Sequence, residues 1–396
     1  AKENAGRYKV INMKHDFLVF GATGMQGKIV TRDLVERNYR IFISGHGEKG
    51  LEELKQLYPT VSGRTLDLRN RAATMGLIAE VQSPVIINCA EGDWNLDVYR
   101  AALEAGCHVI DLGSDIPTTE KQIAMSPDFE KRNLTAITGC GSTPGINNVT
   151  LNYAIQNFDS VETIEAGFAW SSDPKEFVVP FSMQSIIEEF TDPAPVIEEG
   201  TWIDKVPLET VVERQFREIG EQKCFLVRHP ETFTFFFYQK DKGVKNVRFY
   251  AGFPSHSFHA IRSYINDNTA KERAVYVSGR GQVELSLLTR VLQEMNPPPP
   301  GYTEKENLWV AIEGKKDGKP KRDLIECIVP TLPGWEDAGC NIDTGFPASI
   351  IGQMILSGVI TERGSFAPEP VVPPEPFFDE LAKRHMKIYI NAEAVN

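Results

Sequence analysis

Three glycines spaced by three, in Gly21-Ala22-Thr23-Gly24-Met25-Gln26-Gly27, stand between the apolar run Phe17-Leu18-Val19-Phe20 and the start of a helix at Lys28-Ile29-Val30. Gly21 permits a tight turn, Gly24 lets backbone approach a pyrophosphate, and Gly27 lets the helix pack on the strand. The helix N-terminus adds N–H donors and positive partial charge. The chemistry expected here is dinucleotide binding, with Thr23, Met25 and Gln26 completing the loop. The spacing is G-x-x-G-x-x-G rather than the stricter G-x-G-x-x-G, so an ordinary strand-turn-helix connection is the alternative.

In NAD sites of this kind an acid about 20 residues beyond the glycines holds the ribose 2′-hydroxyl. Here the second strand runs out through Ile43-Ser44-Gly45-His46-Gly47-Glu48-Lys49, with no acid at its tip. Ser44, His46 and Lys49 suit a 2′-phosphate, which favours NADP(H), while Glu48 keeps NAD(H) open. Asp67 and Leu68, ending the next strand, are candidates for the adenine, unless Asp67 only caps the helix that follows. Cys89 and Ala90 end the fourth strand beside the same crevice.

Glu91 and Asp111 follow the fourth and fifth strands, where open parallel sheets bind ligands. They are candidates for holding an amine or moving a proton, with helix capping the alternative. In Val227-Arg228-His229-Pro230-Glu231, Arg228 suits a planar clamp on a carboxylate and His229 suits proton transfer near neutral pH. An exposed ion pair and a turn are their plainer readings. His256 and His259 rank behind His229. Cys89, Cys107, Cys140, Cys224, Cys327 and Cys340 include no C-x-x-C pair, so neither a zinc site nor a disulfide framework is expected, and no other metal site is indicated. Reduced thiols in a cytoplasmic protein are the expectation.

Such groups need a sheet to hold them. From Lys14 to about Gly145 short apolar runs alternate with amphipathic stretches, as in Val85-Ile86-Ile87-Asn88-Cys89 and Val98-Tyr99-Arg100-Ala101-Ala102-Leu103. That pattern predicts an α/β fold: a Rossmann-type parallel sheet covered on both faces, over residues 13–145. Residues 1–12, before Met13, stay outside the fold argument as a vector remnant or polar extension. Beyond Thr143-Pro144-Gly145-Ile146 the stretches Thr163 to Trp170, Thr232 to Tyr238 and Trp309-Val310-Ala311 read as strands, and Gly314 to Lys321 as a hairpin loop. A second, α+β domain over 146–340 accounts for them. Pro297 to Pro300 reads as a stiff connection after a helix ending near Met295, and helices at Ser349 to Leu356 and Phe377 to Ala382 close the segment 341–396.

A net charge of −12, from 42 Lys and Arg against 54 Asp and Glu, argues against a nucleic-acid surface. No apolar run approaches the about 20 residues of a membrane span. A small molecule is the expected partner.

Taken in order, several stretches resemble the saccharopine dehydrogenase family. They are the Gly21 to Gly27 loop, Ala101 to Asp111, Gly141-Ser142-Thr143-Pro144-Gly145-Ile146, Phe181-Ser182 with Ile187-Glu188-Glu189-Phe190, Val227 to Glu231, Gly243 to Val247, and Thr344-Gly345-Phe346-Pro347-Ala348. The resemblance spans nearly the whole chain after Met13. It implies hydride exchange at a carbon bonded to an amine nitrogen, on an amine or amino acid. It also implies final helices that return to the Rossmann domain, and a homodimer through the second domain's sheet. The active site would lie in the cleft between domains, with Gly141, Pro144, Gly145 and Thr344 against the substrate and Arg228 and His229 entering from the second domain. The family includes saccharopine reductase, carboxynorspermidine dehydrogenase and lysine 6-dehydrogenase. The expected reaction is therefore reduction of a Schiff base of an amine and a semialdehyde to a carboxylated secondary amine. Its alternatives are NAD-dependent oxidation of lysine and an NADP(H)-binding sensor without turnover. The chain departs from the family's pattern in the Ser-Thr-Pro-Gly run, where Asp-Pro-Gly is usual, and in His46, where Arg is common.

Overall fold

The structure is a computed structural model that describes residues 15–113, 115–175, 178–179, 183–266 and 299–396. Met13, the Phe181-Ser182 pair, the helix end near Met295 and the first two prolines of the Pro297 to Pro300 run lie outside these residues.

The apolar runs of the first half become parallel strands: β1 (Phe17–Phe20), β2 (Ile41–Gly45), β3 (Ser62–Thr65), β4 (Val85–Asn88), β5 (His108–Asp111) and β6 (Thr135–Ile137), side by side as β3-β2-β1-β4-β5-β6. Alternate residues serve opposite layers. Phe17 and Val19 pack with α1 (Met25–Glu36) and α2 (Glu48–Leu57), whereas Leu18 and Phe20 pack with α3 (Arg71–Val81) and α4 (Asn95–Ala105). Because both faces are covered, β1 and β4 are buried along their whole length, each large apolar side chain contributing about 1.5–3 kcal/mol. Helices α5 (Ile116–Ala124) and α6 (Ser126–Lys131) connect β5 to β6.

Helix α7 (Ile146–Ile155) leads into the second sheet and packs on it, so one apolar core runs through both halves. Its strands are β7 (Ser160–Asp173), β8 (Ala194–Glu198), β9 (Thr201–Lys205), β10 (Val212–Phe216), β11 (Gly220–Leu226), β12 (Asn246–Phe253), β13 (Thr303–Lys316) and β14 (Lys319–Pro330). They lie in the order β10-β11-β12-β7-β13-β14, with β8 also on β12 and β9 on β8. Only β7 and β12 pair in parallel. The expected hairpin turns on Asp317 and Gly318, both at positive φ, as a two-residue connection between right-twisted strands requires. Helix α8 (Met183–Thr191) covers this sheet through Phe190, which meets Phe225 and Phe253.

One expected strand is a helix. Thr232 to Tyr238 lies in α9 (Pro230–Gln239), not in a sheet. Pro230 sits at the first helical turn, where its missing N–H costs nothing, and Glu231 in that turn suits the helix dipole. These start signals outweigh the β-propensity of the aromatic residues, which are divided between a buried face (Phe235) and a more open one (Phe237). Helix α10 (Ser255–Asn266) follows β12.

The C-terminal segment returns to both sheets. Helix α11 (Ile342–Leu356) lies against α1 at Gly345, where a Cβ would stand 2.3 Å from Ile29 Cγ2. Strand β15 (Gly364–Phe366) then adds parallel to β6, and after α12 (Pro374–Ala382) strand β16 (Lys387–Ile390) pairs with β14. The segment expected to be helical thus gives a strand to each sheet. A buried ion pair ties it down: Arg384 donates to both oxygens of Asp33 on α1 at 3.0 and 2.8 Å, and Ser349 donates to the same carboxylate at 2.6 Å.

Candidate active site

The turn from β1 to α1 is built for a phosphate. Gly21 has φ +67°, and a Cβ on it would stand 2.6 Å from Ala90 N, so the turn rests on the tip of β4. Gly27 packs still closer, with a Cβ placed 2.1 Å from Gly21 O, whereas Gly24 has only that oxygen near it, at 3.3 Å. No side chain caps α1, which leaves its first N–H groups to a ligand. A groove of about 550 Å³ opens there, lined by Gly21, Thr23, Gly24, Ser44, His46, Asp67, Leu68, Cys89 and Ala90. Ser44 is buried, and its Oγ, on this groove, has no hydrogen-bond partner among the described residues. An orphaned hydroxyl and an uncapped helix start fit a dinucleotide.

Of the residues expected at the cofactor, Met25 is exposed outside the groove, Gly27 serves helix packing, and Gln26 points the other way, donating to Asn341 at 3.2 Å. Lys49 lies along α2 beside Glu53 and Glu48 sits in the first turn of that helix, so neither lines the groove. Arg69, missed in the sequence, does. Its guanidinium pairs with Asp67 at 2.6 Å and holds that carboxyl down at about 2. The signal was available as a cation two residues past an acid at a strand end.

The groove ends at Glu91, which also lines a second, outer groove between the halves, with Asp115, Glu188, Asp192, Arg228 and His229 on its walls. Glu91 makes no side-chain cap, contrary to its structural alternative. His229 is shared with an inner cavity of about 220 Å³. Its ring stacks on Phe249 with centroids 3.9 Å apart, and Nδ1 meets Glu231 Oε2, which fixes the tautomer and leaves Nε2 free of that pairing.

The inner cavity is walled by Phe168 and Trp170 of β7, Glu304 and Glu306 of β13, Glu189 of α8, and Asp343 and Thr344 of α11. Glu304 and Glu306 share a face because strand side chains alternate, and Trp170 stands opposite Glu306 in register. Burial pushes the Asp343 carboxyl up to about 7 and the Glu189 carboxyl up to about 8, and it drives Glu306 far above the usual range. None of these four acids was singled out for a role; the E-x-E alternation at Glu304 and Glu306 was the signal for two of them.

The expected substrate loop is present in another form. Ser142 and Thr143 face the cavity, Ser142 Oγ lying 2.9 Å from Thr344 Oγ1, while Gly141, Pro144 and Gly145 build the turn behind them. Gly145 has φ +141°, and a Cβ there would stand 1.8 Å from Gly141 O. Asp111 lines none of the cavities. It is fully buried and accepts hydrogen bonds from Gly113 N, Gln122, Thr138 and Gly139 N, which makes it a brace for the loops after β5 and β6 rather than a group facing substrate. His256 and His259 line none either. All six cysteine thiols are free.

Residues 17–137 match the family model for the saccharopine dehydrogenase NADP binding domain, and residues 141–386 match that for the saccharopine dehydrogenase C-terminal domain. The chain is 25% identical over 336 residues to carboxyaminopropylagmatine dehydrogenase of Synechocystis sp., covering 82% of this chain and 84% of that protein. It is 24% identical over 347 residues to carboxynorspermidine synthase of Vibrio alginolyticus, covering 83% and 82%. Apo saccharopine dehydrogenase (L-Glu forming) from Saccharomyces cerevisiae shares the fold, with a TM-score of 0.73 at 12% identity over 96% of this chain and 100% of that one.

Proposed function

The chain belongs to the saccharopine dehydrogenase family of oxidoreductases acting on amine-type substrates, and from that premise we propose that it reduces the Schiff base of an amine and an amino-acid semialdehyde to a carboxylated secondary amine, with NADPH. The observation that carries this reading is a cleft of carboxylates meeting the dinucleotide groove at Glu91, with His229 at its junction. Acid walls suit a cationic amine, and the names of the relatives above describe carboxylated amines. NADPH is favoured over NADH because the tip of β2 carries no acid while His46 and Arg69 line the groove there, and the matching family model is one of NADP binding.

Condensation of a primary amine with an aldehyde forms a C=N bond and releases water. Protonation makes the imine carbon electrophilic, and Gly21, Gly24, Ser44 and Ala90 would hold a reduced nicotinamide dinucleotide, whose chemistry would be to supply a hydride to that carbon. The nitrogen keeps its proton, which completes the secondary amine. His229, oriented by Glu231, is the group that gives or takes the proton at nitrogen, and Arg228 is the clamp for the carboxylate. Phe168 and Trp170 exclude water from one side.

The test is NADPH consumption with purified protein and a panel of diamines paired with aspartate semialdehyde. NADPH-dependent formation of the secondary amine supports the reading. Turnover confined to lysine with NAD would replace it with the oxidative one, and bound cofactor with no turnover would replace it with a sensor.

A further inference from the structure

The cleft differs in chemistry on the two sides of His229, and the inference drawn from this rests on the reading above. On the inner side Glu304 is satisfied, accepting from Trp170 Nε1 at 2.9 Å, Tyr302 OH at 3.0 Å and Cys340 N at 2.6 Å. Its neighbours are not. Asp343 is 3% exposed and faces the cavity, and its Oδ2 has no hydrogen-bond donor among the described residues; Glu189 Oε2 is buried in the same condition. Glu306 faces the same cavity, and burial, with Asp343 beside it, holds its carboxyl far above the usual range.

Among the described residues neither Lys nor Arg lines this cavity, and no three His, Cys, Asp or Glu side chains are disposed to hold a metal ion. Buried acids without a counter-charge are costly. What would relieve them is an organic cation with several N–H donors on an alkyl chain, and the aromatic faces of Phe168 and Trp170 also favour such a cation. The outer side is different. Arg228 is exposed there and forms no ion pair among the described residues, so its planar fork is open to a carboxylate.

We infer that the inner cavity is an ammonium subsite for the remote, unreacting amino end of an unsubstituted di- or polyamine, and that the amino-acid aldehyde lies in the outer groove with its carboxylate on Arg228. An ammonium entering beside Asp343 and Glu306 favours their ionised forms, and any proton they give up goes to solvent. An amino acid entering amine-first would bring its own carboxylate toward these acids and be repelled.

The first test needs no turnover, so it stands or falls apart from the reductase reading. Calorimetric titration of 1,3-diaminopropane into NADP-loaded protein, in buffers of different ionisation enthalpy, should show binding with proton release. Propylamine should bind at least about tenfold more weakly. Asp343→Asn and Glu306→Gln should each abolish the diamine preference and the proton release without lowering Tm, and the second variant covers loss of the first. Equal affinity for the two amines, or a preference unchanged in both variants, overturns the subsite. In turnover, Asp343→Asn should raise KM for the diamine by about tenfold or more and leave KM for aspartate semialdehyde unchanged, and Arg228→Lys should do the reverse. The opposite pattern overturns the orientation.

Discussion

At the scale of single residues, Asp343 and Glu189 have carboxyls that burial pushes up to about 7 and about 8, from ordinary values of 3.8 and 4.5. Between those limits the folded protein binds protons that the unfolded chain has already lost. Stability therefore falls as pH rises through this window and levels off above it. The difference in Tm between wild type and Asp343→Asn should accordingly widen in favour of the variant from pH 5 to pH 8, measured by calorimetry on the amine-free protein. A constant difference would refute the raised carboxyl. Arg69 carries a second expectation. Paired with Asp67 and lining the groove with His46, it offers a guanidinium to a 2′-phosphate, so Arg69→Ala should weaken NADPH binding about tenfold and leave NADH little changed. Fluorescence titration with both nucleotides reads this directly.

At the scale of elements, the two loop glycines should fail in different ways. Gly24 has φ −76°, which any residue adopts, and only the Gly21 carbonyl oxygen close by, at 3.3 Å from a Cβ, so Gly24→Val should fold with a small loss of stability and lose dinucleotide affinity by occluding the backbone N–H groups. Gly27→Val drives a side chain into the Gly21 carbonyl and should cost on the order of 3 kcal/mol or more of stability, seen in urea denaturation. Equal behaviour of the two would dissolve the distinction. The strands of the first half were legible because parallel strands buried on both faces are continuous apolar runs, as Phe17 to Phe20 and Val85 to Ile87 are. Strand β15 was not, since Gly-Ser-Phe has no pattern of its own and becomes a strand only by pairing with β6. Helix α9 reads as a strand on the β-propensity of its aromatic residues, which the start signals Pro230 and Glu231 outweigh. In the site, His229 and Thr344 were legible as residue types in recognisable stretches. The four inner acids were not, because β13, α8 and α11 come together only through the tertiary fold.

At the scale of the whole molecule, the Asp33–Arg384 pair joins the first helix to the turn between α12 and β16. Arg384→Met leaves a carboxylate buried with reduced compensation and should cost about 3–5 kcal/mol, whereas replacing both partners with apolar residues of similar size should be far milder. A double-mutant cycle in urea separates the two, and additive losses would show that the pair is not coupled. The route of the polypeptide bears on how the protein is made. Strand β15 at one edge of the nucleotide sheet, and the guanidinium that neutralises Asp33, leave the ribosome long after β6 and α1, the elements they complete. During synthesis the first half must wait with the outer edge of β6 bare and sticky, a state prone to aggregation. A premature stop codon shortly before Gly364 would therefore leave the edge of β6 bare and Asp33 buried without its cation.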